Sequence, residues 1–335
     1  MARPLRLEYE GAIYHVMARG NERGAIFRLK TDPLRFIEKL AESAQTYHVR
    51  VYAYILMQNH WHALIETPRA NISVFMQQFN TSYTTYYNAR HQRVGHLYGG
   101  RYKSPLVRGD DYLLRLSRYI HLNPVYVEGF DKASRERKIE RLRTYNWSSF
   151  PAYAGLAPRQ EWMDYDPLRR LVAGSRRGQA RAFVRFVEAG IDSEDEVLEE
   201  AMGRSSKAIG DPEFCRQVEL ELKKQAEELG APQDATMRHV EVGTPPEVVE
   251  ETVCAICRVK LEDMYGRRKK SNARAMLMKL LIEYSGLNQR AVAGRLGLAD
   301  GSGVSRSIAD LNSELTNSRR LQKVYRKAEK RIAMH

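Results

Sequence analysis

Two apolar runs leave this chain few folds to choose from. Val51-Tyr52-Ala53-Tyr54-Ile55-Leu56-Met57 and His60-Trp61-His62-Ala63-Leu64-Ile65 are parted only by Gln58-Asn59. Both are rich in β-branched and aromatic residues, which favours strands, and the polar pair between them favours a short turn. Side chains alternate along a strand, so His60 and His62 project together while Trp61 points the other way, toward a core. Two imidazoles on one strand face can hold one divalent metal. They can equally form a polar strand surface, and the pair by itself leaves both readings open.

The order of elements around this hairpin narrows the fold class. Ala12 to Ala18 reads as a first strand, followed by the charged Gly/Asn loop Arg19-Gly20-Asn21-Glu22-Arg23-Gly24. Thr31 or Asp32 can cap a helix with Pro33 in its first turn and Leu34, Ile37, Leu40 and Ala44 on its apolar face. A second helix runs from about Asn71 to Arg90, and a third opens at Asp110-Asp111 and stops at Pro124. This β-α-β-β-α pattern, with antiparallel strands and helices on one face, predicts an α+β fold of the split-βαβ type. Trp147, Phe150, Tyr153 and Trp162 are expected to dock a charged connector onto that core. The chain divides into a core (1–130), a helical connector with an acidic segment (131–240) and a helical domain (241–335).

Charge points to the partner. The net charge is +13, which suits a polyanion. From Gly266 onward there are 16 lysines and arginines against 5 acidic residues, whereas Asp192 to Gly230 holds 12 acidic and 5 basic residues. Basic and aromatic residues interleave with glycine from His91 to Arg108, a composition that lets backbone approach phosphates while rings stack on bases. Arg19, Arg23, Arg101 and Lys103 are the expected DNA contacts of this half. Three cysteines are too few for a disulfide framework, and Cys254 and Cys257 read as small buried residues of a helix. No charged-then-apolar leader and no apolar run near ~18 residues is present, so a soluble, cytoplasmic, nucleoid-associated protein without membrane contact is expected.

Tyr119-Ile120-His121-Leu122-Asn123-Pro124 gives the histidine pair a chemical partner. Tyr119 and Asn123 are i and i+4 on a helix and share a face. His60, His62 and Asn123 together offer two imidazoles and an amide oxygen, a set that suits Mn²⁺ and tolerates Mg²⁺. The metal would polarise a phosphate that Tyr119 attacks in line. His121 is one residue off that face, and His15 is expected to pack beneath it. A non-catalytic DNA-binding regulator and a general metallohydrolase are the competing functions.

These residues resemble a known family. His60-Trp61-His62 is similar to the H-hydrophobic-H motif of the HUH single-strand nucleases, and Arg118 to Val125 is similar to their single-tyrosine helix. Tyr14-His15-Val16, Arg19-Gly20-Asn21 and Trp147-Ser148-Ser149 resemble the REP-associated tyrosine transposases, over roughly residues 5–155. The resemblance implies a ferredoxin-like HUH nuclease core with an antiparallel sheet. It implies that Tyr119 forms a 5′-phosphotyrosine link and that His60 and His62 bind Mg²⁺ or Mn²⁺. Asn123 then takes the place of a glutamine. The implied partners are single-stranded DNA hairpins from palindromic repeats, with the enzyme a monomer or a homodimer.

Beyond Pro246 the pattern is wholly helical. Two short helices, one ending at Leu296-Gly297 and one starting near Val304, resemble the Trp-repressor-like helix-turn-helix of the replication initiator DnaA. The segment Asp300-Gly301-Ser302-Gly303-Val304 departs from the initiator's signature. The resemblance therefore implies duplex DNA binding at another sequence, with Arg267, Arg268, Lys269 and Lys270 on phosphates and Ser305 and Arg306 reading bases.

Overall fold

The computed structural model describes residues 6–172, 178–228, 244–265, 271–285, 287, 289–298 and 302–332. They fall into two compact units, one drawn from the described residues of 6–45, 49–68 and 79–228 and the other from those of 46–48, 69–78 and 244–332.

The first unit is built on a sheet. In chain order it comprises β1 (Ala12–Arg19), α1 (Thr31–Tyr47), β2 (Arg50–Met57), β3 (His60–Thr67), α2 (Ile72–Arg90), β4 (Leu106–Val107) and α3 (Asp110–Leu122), with the end of α1 from Thr46 and the start of α2 to Gln78 counted in the second unit. There follow α4 (Arg135–Thr144), α5 (Phe150–Tyr153), α6 (Asp166–Arg170), α7 (Gln179–Ala189), α8 (Glu196–Arg204), β5 (Ala208–Ile209) and α9 (Pro212–Glu228). The strand order is β2-β3-β1-β4-β5. β3 is flanked by antiparallel partners on both sides, paired with β1 from Ala12↔Thr67 to Arg19↔His60 and with β2 down to Met57↔His60. Central placement explains why its apolar run is nearly continuous: Trp61, Ala63, Leu64 and Ile65 are all buried.

Two features depart from the expected arrangement. The sheet is mixed, because β5 pairs parallel to β4 through Leu106↔Ala208 and Val107↔Ile209. Two residues are too short to show a strand period, so the acidic stretch around them reads as helix alone. The helices also occupy both faces. The Trp61 ring meets Phe36 of α1 at 5.3 Å and Phe79 of α2 at 5.6 Å, whereas the ring of His62, the next residue, lies 5.9 Å from Tyr119 of α3. Neighbouring strand residues face opposite ways, so α3 lies across the sheet from α1 and α2. Its own apolar stripe (Leu113, Leu116, Ile120) demands such a surface.

The connector packs onto the sheet and α3. Trp147 accepts from the Leu56 backbone at 2.8 Å, Tyr153 Oη donates to Tyr52 O at 2.7 Å, and Trp162 stacks on Tyr54. Ser149 ties two elements together: its Oγ accepts from Tyr54 N at 3.0 Å and lies 2.9 Å from His121 Nε2. His121 is fully buried beside Phe150, Tyr153 and Phe183, so it is a core residue.

The second unit is helical among its described residues: α10 (Pro246–Cys257), α11 (Asn272–Ser285), α12 (Gln289–Arg295), α13 (Ser302–Asn317) and α14 (Arg319–Ile332). Val249, Val253, Met276, Leu280, Leu281, Val292, Val304, Ile308 and Ile332 form its core. α12 and α13 pack on each other, and Gly297 at the end of α12 takes φ +68°, which favours glycine. Burial pushes the Cys254 and Cys257 thiols up, and Cys257 Sγ sits 3.9 Å from Met276 Sδ. No helix of the described residues is long and apolar enough to cross a membrane.

Candidate active site

Strand register assembles one wall of the site. In the β1–β3 pairing Met17 faces His62 and Arg19 faces His60, so Arg19, Met17 and His15 project on the same side as the two histidines. The His60 and His62 rings are 5.2 Å apart. His15 Nε2 lies 3.0 Å from His62 Nδ1, and both residues are buried.

α3 supplies the opposite wall. Its apolar stripe seats it on the sheet and leaves Tyr119 at the rim, 37% exposed, with its ring edge-on to His15 at 6.1 Å as well as to His62. Asn123 follows one turn later at the C-terminal cap. Its Nδ2 donates to Tyr119 O at 2.9 Å and to Ile120 O at 3.3 Å, adding to the backbone N–H that Asn123 already gives Ile120 O at the helix end. With the amide nitrogen spent on the helix, Oδ1 is the group left for the site, and the Asn123 side chain partly offsets the burial that lowers the His60 pKa.

The electrostatics favour neutral imidazoles. Burial lowers the pKa of His60, His62 and His15, with His15 at about 3, and Arg19 pushes His60 and His62 further the same way. Neutral rings keep a lone pair for a metal. Burial pushes the Tyr119 phenol up, and Arg19 pulls it back down.

The donor set fits a divalent metal. His60 Nδ1 is engaged by Asn59 Oδ1 at 2.7 Å and His62 Nδ1 by His15 at 3.0 Å, so each ring keeps its Nε2 for coordination. With Asn123 Oδ1 that is two nitrogens and an oxygen, a set suited to Mn²⁺ and tolerant of Mg²⁺. Elsewhere, His48, Glu283 and Glu329 of the second unit place one ligand atom each within 4.8 Å. There Glu283 already takes Tyr325 Oη at 2.5 Å and His48 Nε2 at 2.7 Å, with Lys279 at 3.5 Å and Arg69 at 3.8 Å. Tyr325 Oη bonds one oxygen of that carboxylate and the cations surround it at ion-pair distance, so the cluster reads as an ionic clasp, with Glu283 Oε1 and His48 Nε2 making no hydrogen bond among the described residues.

The basic residues fall into two sets. Arg19, Arg23, Arg101 and Lys103 are exposed and border one end of β1. The loop holding Arg23 is tied to the hairpin by Asn59 Nδ2, which donates to Arg23 O at 3.0 Å, and Lys103 exchanges backbone bonds with Met17. Ser305 and Arg306 are exposed on α13 of the second unit, where Ser305 Oγ donates to Gln289 at 3.1 Å. Arg267, Arg268, Lys269 and Lys270 lie outside the described residues. His15 and Asn59 matter more than the sequence suggests. The only sequence signals for them are a histidine in an apolar strand and an amide abutting His60.

Residues 8–123 match the family described as "Transposase IS200 like". A solved structure of a REP-associated tyrosine transposase bound to a REP hairpin is similar at 16% identity, covering 50% of this chain and 96% of that one with a TM-score of 0.38. No curated protein matches the chain.

Proposed function

We propose that the chain is a metal-dependent, single-tyrosine DNA transposase that cuts and rejoins single-stranded DNA at hairpins of palindromic repeats. The observation that carries this reading is the Tyr119 phenol set edge-on to His62 and beside Arg19, on a helix of the same chain. Tyr119 Oη attacks the phosphorus. The P–O3′ bond breaks, the leaving 3′ oxygen takes up a proton, and a 5′-phosphotyrosine remains. The phenol proton passes to solvent, helped by the positive charge of Arg19. Attack of a 3′-OH on the phosphotyrosine reverses the step, so no nucleotide cofactor is needed to reseal.

His60, His62 and Asn123 would hold Mg²⁺ or Mn²⁺. Bound there, the metal polarises the scissile phosphate. Arg23, Arg101 and Lys103 would track the strand backbone, and Asn123 fixes the last turn of the helix that aims the nucleophile.

In this reading residues 1–130 do the chemistry and residues 131–240 brace the tyrosine helix. Residues 241–335 would be a helix-turn-helix domain that holds duplex DNA, with Ser305 and Arg306 at the bases and Arg267–Lys270 on phosphates. Such a tether raises the local concentration of nearby single strand. The test is a gel assay with 5′- and 3′-labelled hairpin DNA and Mn²⁺ or Mg²⁺, comparing wild type with Tyr119→Phe. A denaturant-resistant adduct at the 5′ end of the downstream fragment, followed through the 3′ label and absent in the variant, is expected. Cleavage that survives the substitution would point to a metallohydrolase instead. Hairpin binding with no cleavage would point to a regulator.

A further inference from the structure

His15 is the one imidazole at the site that the proposed chemistry does not use. It is fully buried on β1, one diagonal step from His62 across the β1–β3 pairing. The two ring planes are 21° apart, with centroids at 5.1 Å and nitrogens at 3.0 Å. Nearly coplanar rings whose centroids are separated by about a hydrogen bond plus two ring radii meet edge to edge, as hydrogen-bonded imidazoles do, rather than face to face.

Such a bond holds a single proton. If His15 donates it, His62 must carry its own proton on Nε2 and cannot offer that nitrogen to a metal. If His62 donates it from Nδ1, its Nε2 is a bare lone pair. We infer that His15 is a positioning residue whose Nε2 accepts the Nδ1–H of His62, fixing the ring and keeping Nε2 of His62 as the coordinating nitrogen. This rests on the proposed metal role of His60 and His62.

The neighbouring ligand shows a comparable contact: His60 Nδ1 lies 2.7 Å from Asn59 Oδ1, an atom that can only accept. The other nitrogen of His15, Nδ1, carries that ring's proton in this tautomer and is buried without a partner among the described residues, so His15 ends the chain of hydrogen bonds and one buried N–H is left unpaired. A buried ring that leaves a polar atom unpaired needs a reason to be there, and the bond to His62 is its only polar contact in the described structure. Asn59 is half-buried on the turn whereas His15 is fully enclosed.

The test uses the full chain labelled with ¹⁵N-histidine, without DNA. Long-range ¹H–¹⁵N spectra with and without Mg²⁺ should show His62 protonated at Nδ1 and His15 bare at Nε2. In His15→Phe, a ring of similar size with no acceptor, His62 should shift toward the Nε2–H form. Mn²⁺ affinity should then fall tenfold or more, as expected when a partner behind a ligand is lost. His15→Gln, which puts an amide oxygen near the place of Nε2, should retain both properties. His62 protonated at Nε2 in the wild type with Mg²⁺, or equal Mn²⁺ affinity in His15→Phe, would overturn the inference. Should His15→Phe not fold, the wild-type tautomer decides alone. If the wild type binds no Mn²⁺, the metal reading falls and takes this one with it. If tautomer and affinity behave as expected but no hairpin is cut, only the nuclease reading fails.

Discussion

Arg118 and Asp195, 77 residues apart, meet with Nη2 2.6 Å from Oδ2. The other carboxylate oxygen takes Arg115 Nη1 at 2.7 Å and the Leu198 backbone N–H at 3.2 Å. One acidic side chain thus pins two arginines of α3 and caps α8. The adjoining turn is equally close: a Cβ on Gly190 would stand 2.5 Å from Arg118 Cδ, and Tyr126 Oη donates to Gly190 O at 2.8 Å. The helix that carries Tyr119 is held from behind by the connector. Asp195→Ala should cost about 2 kcal/mol of stability, the scale of lost hydrogen bonds to charged groups. It should also slow adduct formation more than it weakens hairpin binding. Thermal melts with single-turnover labelling would check this, and an unchanged rate would show that the clamp does not aim the tyrosine.

Arg19 acts on Tyr119 through charge. Burial raises the phenol's pKa and Arg19 lowers it, so Arg19→Gln should raise it further. The phenolate fraction at any neutral pH then drops, and the pH–rate profile of adduct formation should move to higher pH. Arg19→Lys should restore part of the shift. Affinity for an uncleavable hairpin, measured alongside, separates this effect from loss of a phosphate contact. Identical profiles for wild type and Arg19→Gln would refute the electrostatic role.

Asn123 does two jobs with one amide. Asn123→Ala removes the bonds to the last carbonyls of α3, a cost of about 1 kcal/mol. It also removes an oxygen from the proposed metal set. The Mn²⁺ concentration giving half-maximal adduct formation should rise at least tenfold, with activity recovered at high metal. A fall in activity that extra Mn²⁺ does not rescue would leave Asn123 as a helix cap alone.

Glu283 predicts acid sensitivity in the helical unit. Burial alone would raise its pKa, yet His48, Lys279 and Tyr325 outweigh burial and hold the carboxyl below the ordinary range. A depressed carboxylate contributes stability that is complete above its unfolded value, about 4.3. That share is lost as pH falls through the folded value. Glu329, pushed up by burial and by Glu283, works in the opposite sense. Wild-type melting temperature should therefore drop more steeply between about pH 5 and pH 3 than that of Glu283→Gln. Parallel curves would exclude the linkage.

Local patterns explain how much could be read without coordinates. Alternation around Trp61 and the i, i+4 spacing of Tyr119 and Asn123 are short-range properties, so the shared faces follow from neighbours in sequence. The diagonal placement of His15 on His62 depends on the β1–β3 register, set by residues about 50 positions apart, and no local period reveals it. Asp195 looks like one more acid in an acidic segment until α8 folds against α3. β5 is a two-residue strand whose partner lies a hundred residues away, and its parallel pairing is dictated by the exposed edge of β4 rather than by its own composition.

The alternation of β3 has a consequence for how such a site can change. His60 and His62 share a strand with Trp61, which fills the core behind them. One phase of the pleat therefore defines both the reactive surface and the packed interior. Deleting or inserting a single residue within the strand would rotate the whole set by half a turn, hiding the imidazoles and exposing the indole. Substitutions can tune this site one side chain at a time. A length change in β3 keeps the site only if a bulge takes it up, as the β2–β3 pairing takes up one residue between Val51 and Ala53, so loops and termini are the easier places for lineages or engineers to add new sequence.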